Sequence, residues 1–414
     1  MYRVAQANDP SIASARYALD SARQKIPLAR AGLRPVATVT GNEGATHAET
    51  AFSDQEPVNR AVRAWSWNLQ VTQPVLRVGA LYAIRESEFI VDQAEAQYAQ
   101  ARQDLLLRVA QAYFGVIVAQ DAIGAAQAQV SALDEQLAQV TRGFQHGTHA
   151  VTDVDDTKSR QGSARAQLVS AQNDLDSAQA NLEKITGQVP TELAVLQSTM
   201  MPPPPTADSR AWMAQARTNH PLVRAQRAAL DAARQAIKKL RSDHLPTLDL
   251  VANTGSNFSS RSLATPNDYA TRANQRQIGL QLTVPLYSGG AVDARVTEAI
   301  ANMDKATADL ELASRQSALD ARLAYAGVVN GLAQIAALDV AVASGQSALK
   351  GNRAGYRLGI RINIDVLNAE QQVFAAQRDL SKARYETLLQ GLKLKAAAGA
   401  LDEYDLLKVN SMLR

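Results

Sequence analysis

The chain has 414 residues, with 43 basic side chains against 40 acidic ones, a net charge of +3 and no cysteine. Without cysteine there are no disulfides and no thiolate metal sites, and basic residues interspersed with acidic ones leave no patch for a nucleic-acid backbone. No stretch approaches the roughly 18 uninterrupted apolar residues of a membrane-spanning helix, so any bilayer crossing falls to strands. The opening "MYRVAQANDP" lacks the basic start and apolar core of a secretory signal. That leaves a cytoplasmic chain and a chain whose signal has been removed both open at this point.

Taken in order, a helical stretch of about 20 residues leads to a strand expected over residues 35–46 and a second over 62–74. In "AWSWNLQVTQP", Trp65, Trp67, Leu69 and Val71 point one way while Ser66, Asn68, Gln70 and Thr72 point the other. Eleven residues of such alternation suffice for one tilted crossing of a hydrocarbon core. No proline falls between Pro74 and Pro190, which leaves room for two long helices broken at "GFQHGTHAVTDV". Ile84, Val91, Tyr98, Leu105, Ala112 and Ala119 recur every seven residues along the first of them, a coiled-coil seam rich in small residues.

The plan then repeats. Pro10, Pro35 and Pro74 return 211 residues later as Pro221, Pro246 and Pro285, and after one inserted residue "GFQHGTHAVTDV" returns as "GYRLGIRINIDV". A tandem duplication follows, with repeats at residues 1–209 and 210–414. The second repeat is expected to supply strands over 246–257 and 273–286, the last with Ile278, Leu280, Leu282 and Val284 opposed to Gln281 and Thr283. "MPPPP" at Met201–Pro205 reads as a stiff extended linker between the halves. In "YRLGIRINIDVL", β-branched residues alternate with Arg361, Asn363 and Asp365 after Gly359, a strand-like charged turn at the end of a long helix.

Four short amphipathic strands cannot close a membrane barrel alone, because an open edge leaves backbone groups unpaired in lipid. Either they form a soluble sheet or several chains pool them. The duplicated plan resembles the TolC family of outer-membrane channel proteins over nearly the whole chain. So do the motifs at Tyr356, Gly359 and Asp365 to Leu367, "NLEKITG" from Asn181, and "GALDEYDLLKVN" from Gly399. The resemblance implies a mainly α protein with a membrane β-barrel. Three chains would pool four strands each into twelve, continued by a coiled-coil helical tunnel through the periplasm. It also implies a periplasmic adaptor (membrane fusion protein) and an inner-membrane ABC or other transporter as partners, and an exported protein or small molecule as cargo. Family members with a lipid anchor carry a cysteine near the start, and this chain has none. The expected role is accordingly type I protein secretion, such as toxin export, or efflux. The rival reading is a soluble coiled-coil adaptor or scaffold without a pore.

On this resemblance Trp65, Trp67, Leu69, Val71, Ile278, Leu280, Leu282 and Val284 face lipid. Gly147 and Gly359 turn the two hairpin tips. Thr152, Asp153, Tyr356 and Arg361 clamp the closed tip, through contacts of Arg361 with Asp153 or Thr152 and of the Tyr356 hydroxyl with Asp153. Asp365 forms an acidic aperture ring. The family's second acidic position is Asn368 here, so Asp156, with Asp155 beside it, could supply the replacement charge. A structural role is compatible with these, since Asp153 and Asp365 also suit helix N-caps, and Arg361 could be a solvated turn residue. His146 and His149 read as polar turn residues rather than metal ligands. No phosphate-binding loop, zinc spacing or nucleophile elbow is present, so neither an enzyme nor a cofactor is expected.

Overall fold

The computed structural model describes residues 1–52, 55–189, 193–195 and 204–412. The first three residues of the expected Met201–Pro205 linker lie outside them. The chain packs as two compact units, each drawn from both halves of the sequence. Residues 19–94 and 226–309 form one; residues 1–18, 95–225 and 310–414 form the other. The packing therefore does not divide at 209–210, because the strands of the two halves pair with each other.

The first unit is built on a four-stranded antiparallel sheet of β1 (Val36–Thr50), β2 (Val58–Leu76), β3 (Thr247–Ser259) and β4 (Thr271–Thr283), in the order β1-β2-β3-β4. Strands β1 and β2 run further toward their connecting loop than the alternation predicts, and their pairing is unbroken from Val36↔Thr72 to Thr50↔Val58. Strand β4 stops at Thr283, short of the expected 286, because Pro285 has no N–H to offer a ladder. The β2–β3 pairing slips between Pro74 and Leu76, where proline again interrupts it. To the same unit belong α3 (Lys25–Ala31) and most of α7 (Pro221–Arg241).

The second unit is helical. It contains α1 (Tyr2–Asn8), the start of α2 (Pro10–Arg23), α5 (Val151–Thr186), α6 (Ser209–Asn219), α9 (Asn363–Ala397), α10 (Glu403–Asn410), and the C-terminal parts of α4 (Val78–Gln145) and α8 (Ala291–Arg357). Its largest core joins Leu106, Ala110, Phe114 and Ile117 of α4 to Tyr385, Leu388 and Leu392 of α9. Of the expected seam positions of α4, Val91, Leu105 and Ala119 are buried, and Ile84, Tyr98 and Ala112 are partly buried. Small residues set the helix spacing: a Cβ on Gly331 of α8 would press into the Thr387 side chain of α9. After α9 the chain turns at Gly399 (φ +71°), where Ala400 N–H donates to Lys395 C=O and Gly399 N–H to Ala396 C=O. That turn sits directly on the Asn219 carbonyl, with no room for a side chain.

Stretches of α4 and α8 reach mean hydropathies of 1.3 and 1.6, so two helices do carry a window apolar enough to cross a membrane, contrary to the sequence expectation. Both windows lie inside helices of 68 and 67 residues, and most of each window is not buried within the chain.

Candidate functional site

The two helix-to-helix turns are built alike. After α4, Thr148 N–H donates to Gly143 C=O at 2.8 Å and Gly147 N–H to Phe144 C=O at 3.0 Å. After α8, Ile360 N–H donates to Gly355 C=O at 2.9 Å and Gly359 N–H to Tyr356 C=O at 3.0 Å. This paired bonding is a Schellman end, which needs a left-handed residue. Gly147 (φ +72°) and Gly359 (φ +74°) supply it. Gly143 and Gly355 are small for a separate reason: a Cβ would come within 2.8 Å of the His149 ring in one turn and of the Arg361 stem in the other. The second turn is not a strand. Leu358 to Arg361 form turns and bends, Ile362 at the N-cap of α9 is extended (φ −94°, ψ 159°), and Ile360 and Ile362 are 76% and 63% exposed.

The expected clamp residues are close together but paired differently within the chain. The Tyr356 hydroxyl is hydrogen-bonded to Nε2 of His149 at 2.7 Å, and the rings meet edge-on. Burial, and then the Asp153 charge, push the Tyr356 phenol above its ordinary pKa. Asp153 lies at the third position of α5, not at the cap, and accepts from the Ala150 N–H at 3.3 Å. Asp365 likewise sits three residues after the capping Ile362, 3.6 Å from Arg361. Thr152, Asp155 and Asp156 are exposed. Asn368 accepts from Arg160 at 2.8 Å, which sets the amide under a cation.

Beneath the turns lies a buried polar chain that sequence reading did not single out. Gln136 Nε2 donates to Asn363 Oδ1 at 2.5 Å, Asn363 Nδ2 to Thr157 Oγ1 at 3.0 Å, and Thr157 Oγ1 to Asp153 C=O at 2.7 Å. It joins α4, α5 and α9, with exposures of 8%, 0% and 3% for Gln136, Thr157 and Asn363. One signal was available: Thr157 heads the buried seven-residue series Thr157, Ala164, Ala171, a polar residue at a seam position. Nearby, Arg353 holds Glu370 through Oε1 at 2.6 Å. His149, read only as a polar turn residue, is the partner of Tyr356.

In the sheet, directly paired residues share a face. Trp65, Trp67, Leu69 and Val71 pair with Phe258, Ser256, Thr254 and Ala252. Ala252, Leu250 and Leu248 pair in turn with Ile278, Leu280 and Leu282. Seven of the eight expected lipid-facing residues therefore lie on one face, and Val284 lies just past the end of β4. Ser66, Asn68, Gln70, Gln281 and Thr283 lie on the other. From Leu248 to Phe258 the apolar face covers about 33 Å of strand, or about 25 Å of membrane depth at a tilt near 40°. Trp65 and Phe258 stack at its loop end with centroids 5.9 Å apart.

The model of the family described as outer membrane efflux protein matches residues 1–188 and 212–400. The chain belongs to the outer membrane efflux protein family. It is 32% identical to outer membrane protein TolC of Escherichia coli over 100% of this chain and 84% of that protein. It is also 32% identical to alkaline protease secretion protein AprF of Pseudomonas aeruginosa, over 98% and 85%. Protein CyaE of Bordetella pertussis is more distant, at 25% over 73% of this chain and 62% of its own length. The fold matches the outer membrane protein VceC of Vibrio cholerae with a TM-score of 0.80 at 18% identity, over 96% of this chain and 95% of that one. An outer membrane efflux protein with these strands and helices is an outer-membrane exit duct for type I secretion or efflux. Its family and fold are those of channels, not of enzymes or soluble scaffolds.

Proposed function

We propose that three copies of this chain form one duct for type I protein secretion or efflux, passive in itself and gated at the hairpin turns. The observation that carries this is a sheet with one apolar face, one polar face and two outer edges, β1 and β4, without partners among the described residues. Such edges are not tolerated in lipid. Because the four strands alternate in direction, β4 of one copy can meet β1 of the next antiparallel, and the ring closes without a mismatch. Two copies would give eight strands, a width that side chains fill; three give twelve, the next size a four-stranded sheet allows, with a wider interior. The exposed Leu312, Leu319, Leu323 and Val340 of α8 also call for cover by another copy.

The two repeats, 1–209 and 210–414, would each contribute two strands and one hairpin. At the turns, the one ion pair of Arg361 among the described residues is with Asp365 at 3.6 Å, and the Arg361 side chain is 58% exposed, so it is available to Asp153 or Thr152 of an adjoining hairpin while Tyr356 braces against His149. Three copies of Asp365 would ring the aperture, with Asp156 adding charge where Asn368 has none. The family implies a periplasmic adaptor and an inner-membrane transporter as partners, and the protease-secretion relative favours a protein as cargo. Engineered cysteine pairs on β1 and β4, around Thr40 and Gln277, test the assembly in a chain that has none of its own. Cross-linking is expected to give a ladder ending at three chains. A ladder ending at two chains, or none, would refute it.

A further inference from the structure

The apolar face of the sheet is not free of charge, and its charges gather at the loop end. Arg272 pairs with Phe258, which pairs with Trp65, so all three share the face read above as lipid-facing. Arg63, two residues from Trp65, lies on it at the same end, whereas Arg276, opposite Thr254, lies four residues further in. The Arg272 guanidinium sits 5.8 Å from the Trp65 ring centroid and 5.9 Å from that of Phe258. It leans over β3 toward β2, away from the outer edge of β4 where a second copy would dock. Among the described residues none of the three arginines is in an ion pair, and the carboxylates of this face are on β1, Glu43 directly opposite Trp65 and Glu49 six residues beyond it toward the loop.

An arginine at the midplane of a lipid-facing strand is costly, and the cost falls away at the interface. There the anions facing the protein are phosphates, which a guanidinium fork can bind through two N–H groups at once. An aromatic shelf that holds the guanidinium in place leaves N–H groups free for such a ligand. We propose that Arg272 on its Trp65–Phe258 shelf, with Arg63, is a binding site for the phosphate of an outer-leaflet lipid headgroup. It rests on the assignment of the apolar face to lipid.

Native mass spectrometry of the detergent-purified protein with diphosphoryl lipid A, monophosphoryl lipid A and inorganic phosphate tests it. Diphosphoryl lipid A is expected to stay bound, and the Arg272→Gln/Arg63→Gln variant to retain about tenfold less. Arg272→Lys, which keeps the charge and loses the fork, should fall between, and Glu49→Gln, six residues from the shelf along β1, should match the wild type. Equal retention by the double variant, or equal binding of the two lipids, would overturn the site. Full displacement of the lipid by millimolar inorganic phosphate would assign it to a free anion and overturn the lipid reading. Quenching of Trp65 and Trp67 by brominated lipid, in a Trp212→Phe background, separates the two failures. Its absence would refute the face assignment itself, whereas quenching with unchanged lipid A retention would refute the phosphate site alone.

Discussion

Asn363→Ala is the sharpest test of what holds the hairpin turns in place. Asn363 is 3% exposed, accepts from Gln136 and donates to Thr157. Its truncation removes both bonds, yet Thr157 keeps its bond to the Asp153 carbonyl, so the main loss is the Gln136 amide left buried without an acceptor. An orphaned donor of this kind plus a lost bond costs about 2–3 kcal/mol, or roughly a 30- to 150-fold rise in local opening. Hydrogen exchange of peptides covering 145–165 and 355–370 should accelerate by that factor. Peptides around Tyr385 and Leu392 in the main core should not change. The Gln136→Leu/Asn363→Leu pair removes both polar partners and is expected to recover most of the protection. Unchanged exchange at the turns in Asn363→Ala, or a double variant worse than the single, would refute the reasoning.

Asp365→Ala should weaken block of the channel by trivalent cations about tenfold in bilayer recordings, since three carboxylates would leave the aperture together; undiminished block would move the ring to Asp156. His220 is held below its ordinary pKa by burial, against the opposing pull of Asp320 and Asp104. For a base so lowered the fold keeps its full stability above about pH 6.5 and loses it as pH falls toward the folded pKa. Melting curves should therefore shift down between pH 7 and 5 in the wild type and less in His220→Asn, which preserves an acceptor for the Leu222 N–H. Gly399→Ala should cost about 1–3 kcal/mol, from a left-handed φ and a Cβ driven into the Asn219 carbonyl. Gly391→Ala in the interior of α9, where a Cβ meets nothing within 4 Å, is the matched control and should be neutral or stabilising by melting temperature.

Much of the sheet was readable because its pattern has period two and prolines mark its ends. Trp65 through Val71 and Ile278 through Leu282 needed only alternation to be put on one side. Pairing extends β2 to Val58, beyond the alternation, because backbone bonds continue where side chains stop discriminating between faces. The turns were legible as turns through Gly147 and Gly359. Four β-branched residues in seven suggested a strand around Ile362, although the chain there only steps from one helix to the next. Partner choice was not legible. Tyr356 meets His149, 207 residues away, and Asn363 meets Gln136 across 227. Nothing in a local pattern distinguishes His149 from Asp153 as the partner of the Tyr356 hydroxyl. The N-cap reading of Asp153 and Asp365 missed by three residues because either position lets a carboxylate satisfy free amides of the first turn.

The central claim, a duct closed at its hairpin turns, is tested most directly by single-channel conductance of the wild type beside Arg361→Ser and Asp153→Ala in planar bilayers. The wild type should open channels of small, steady conductance, and each variant should conduct several-fold more as the contacts between hairpins are lost, each worth about 1–3 kcal/mol when partly buried. No channel from any of the three proteins, or the same conductance from all, would contradict it.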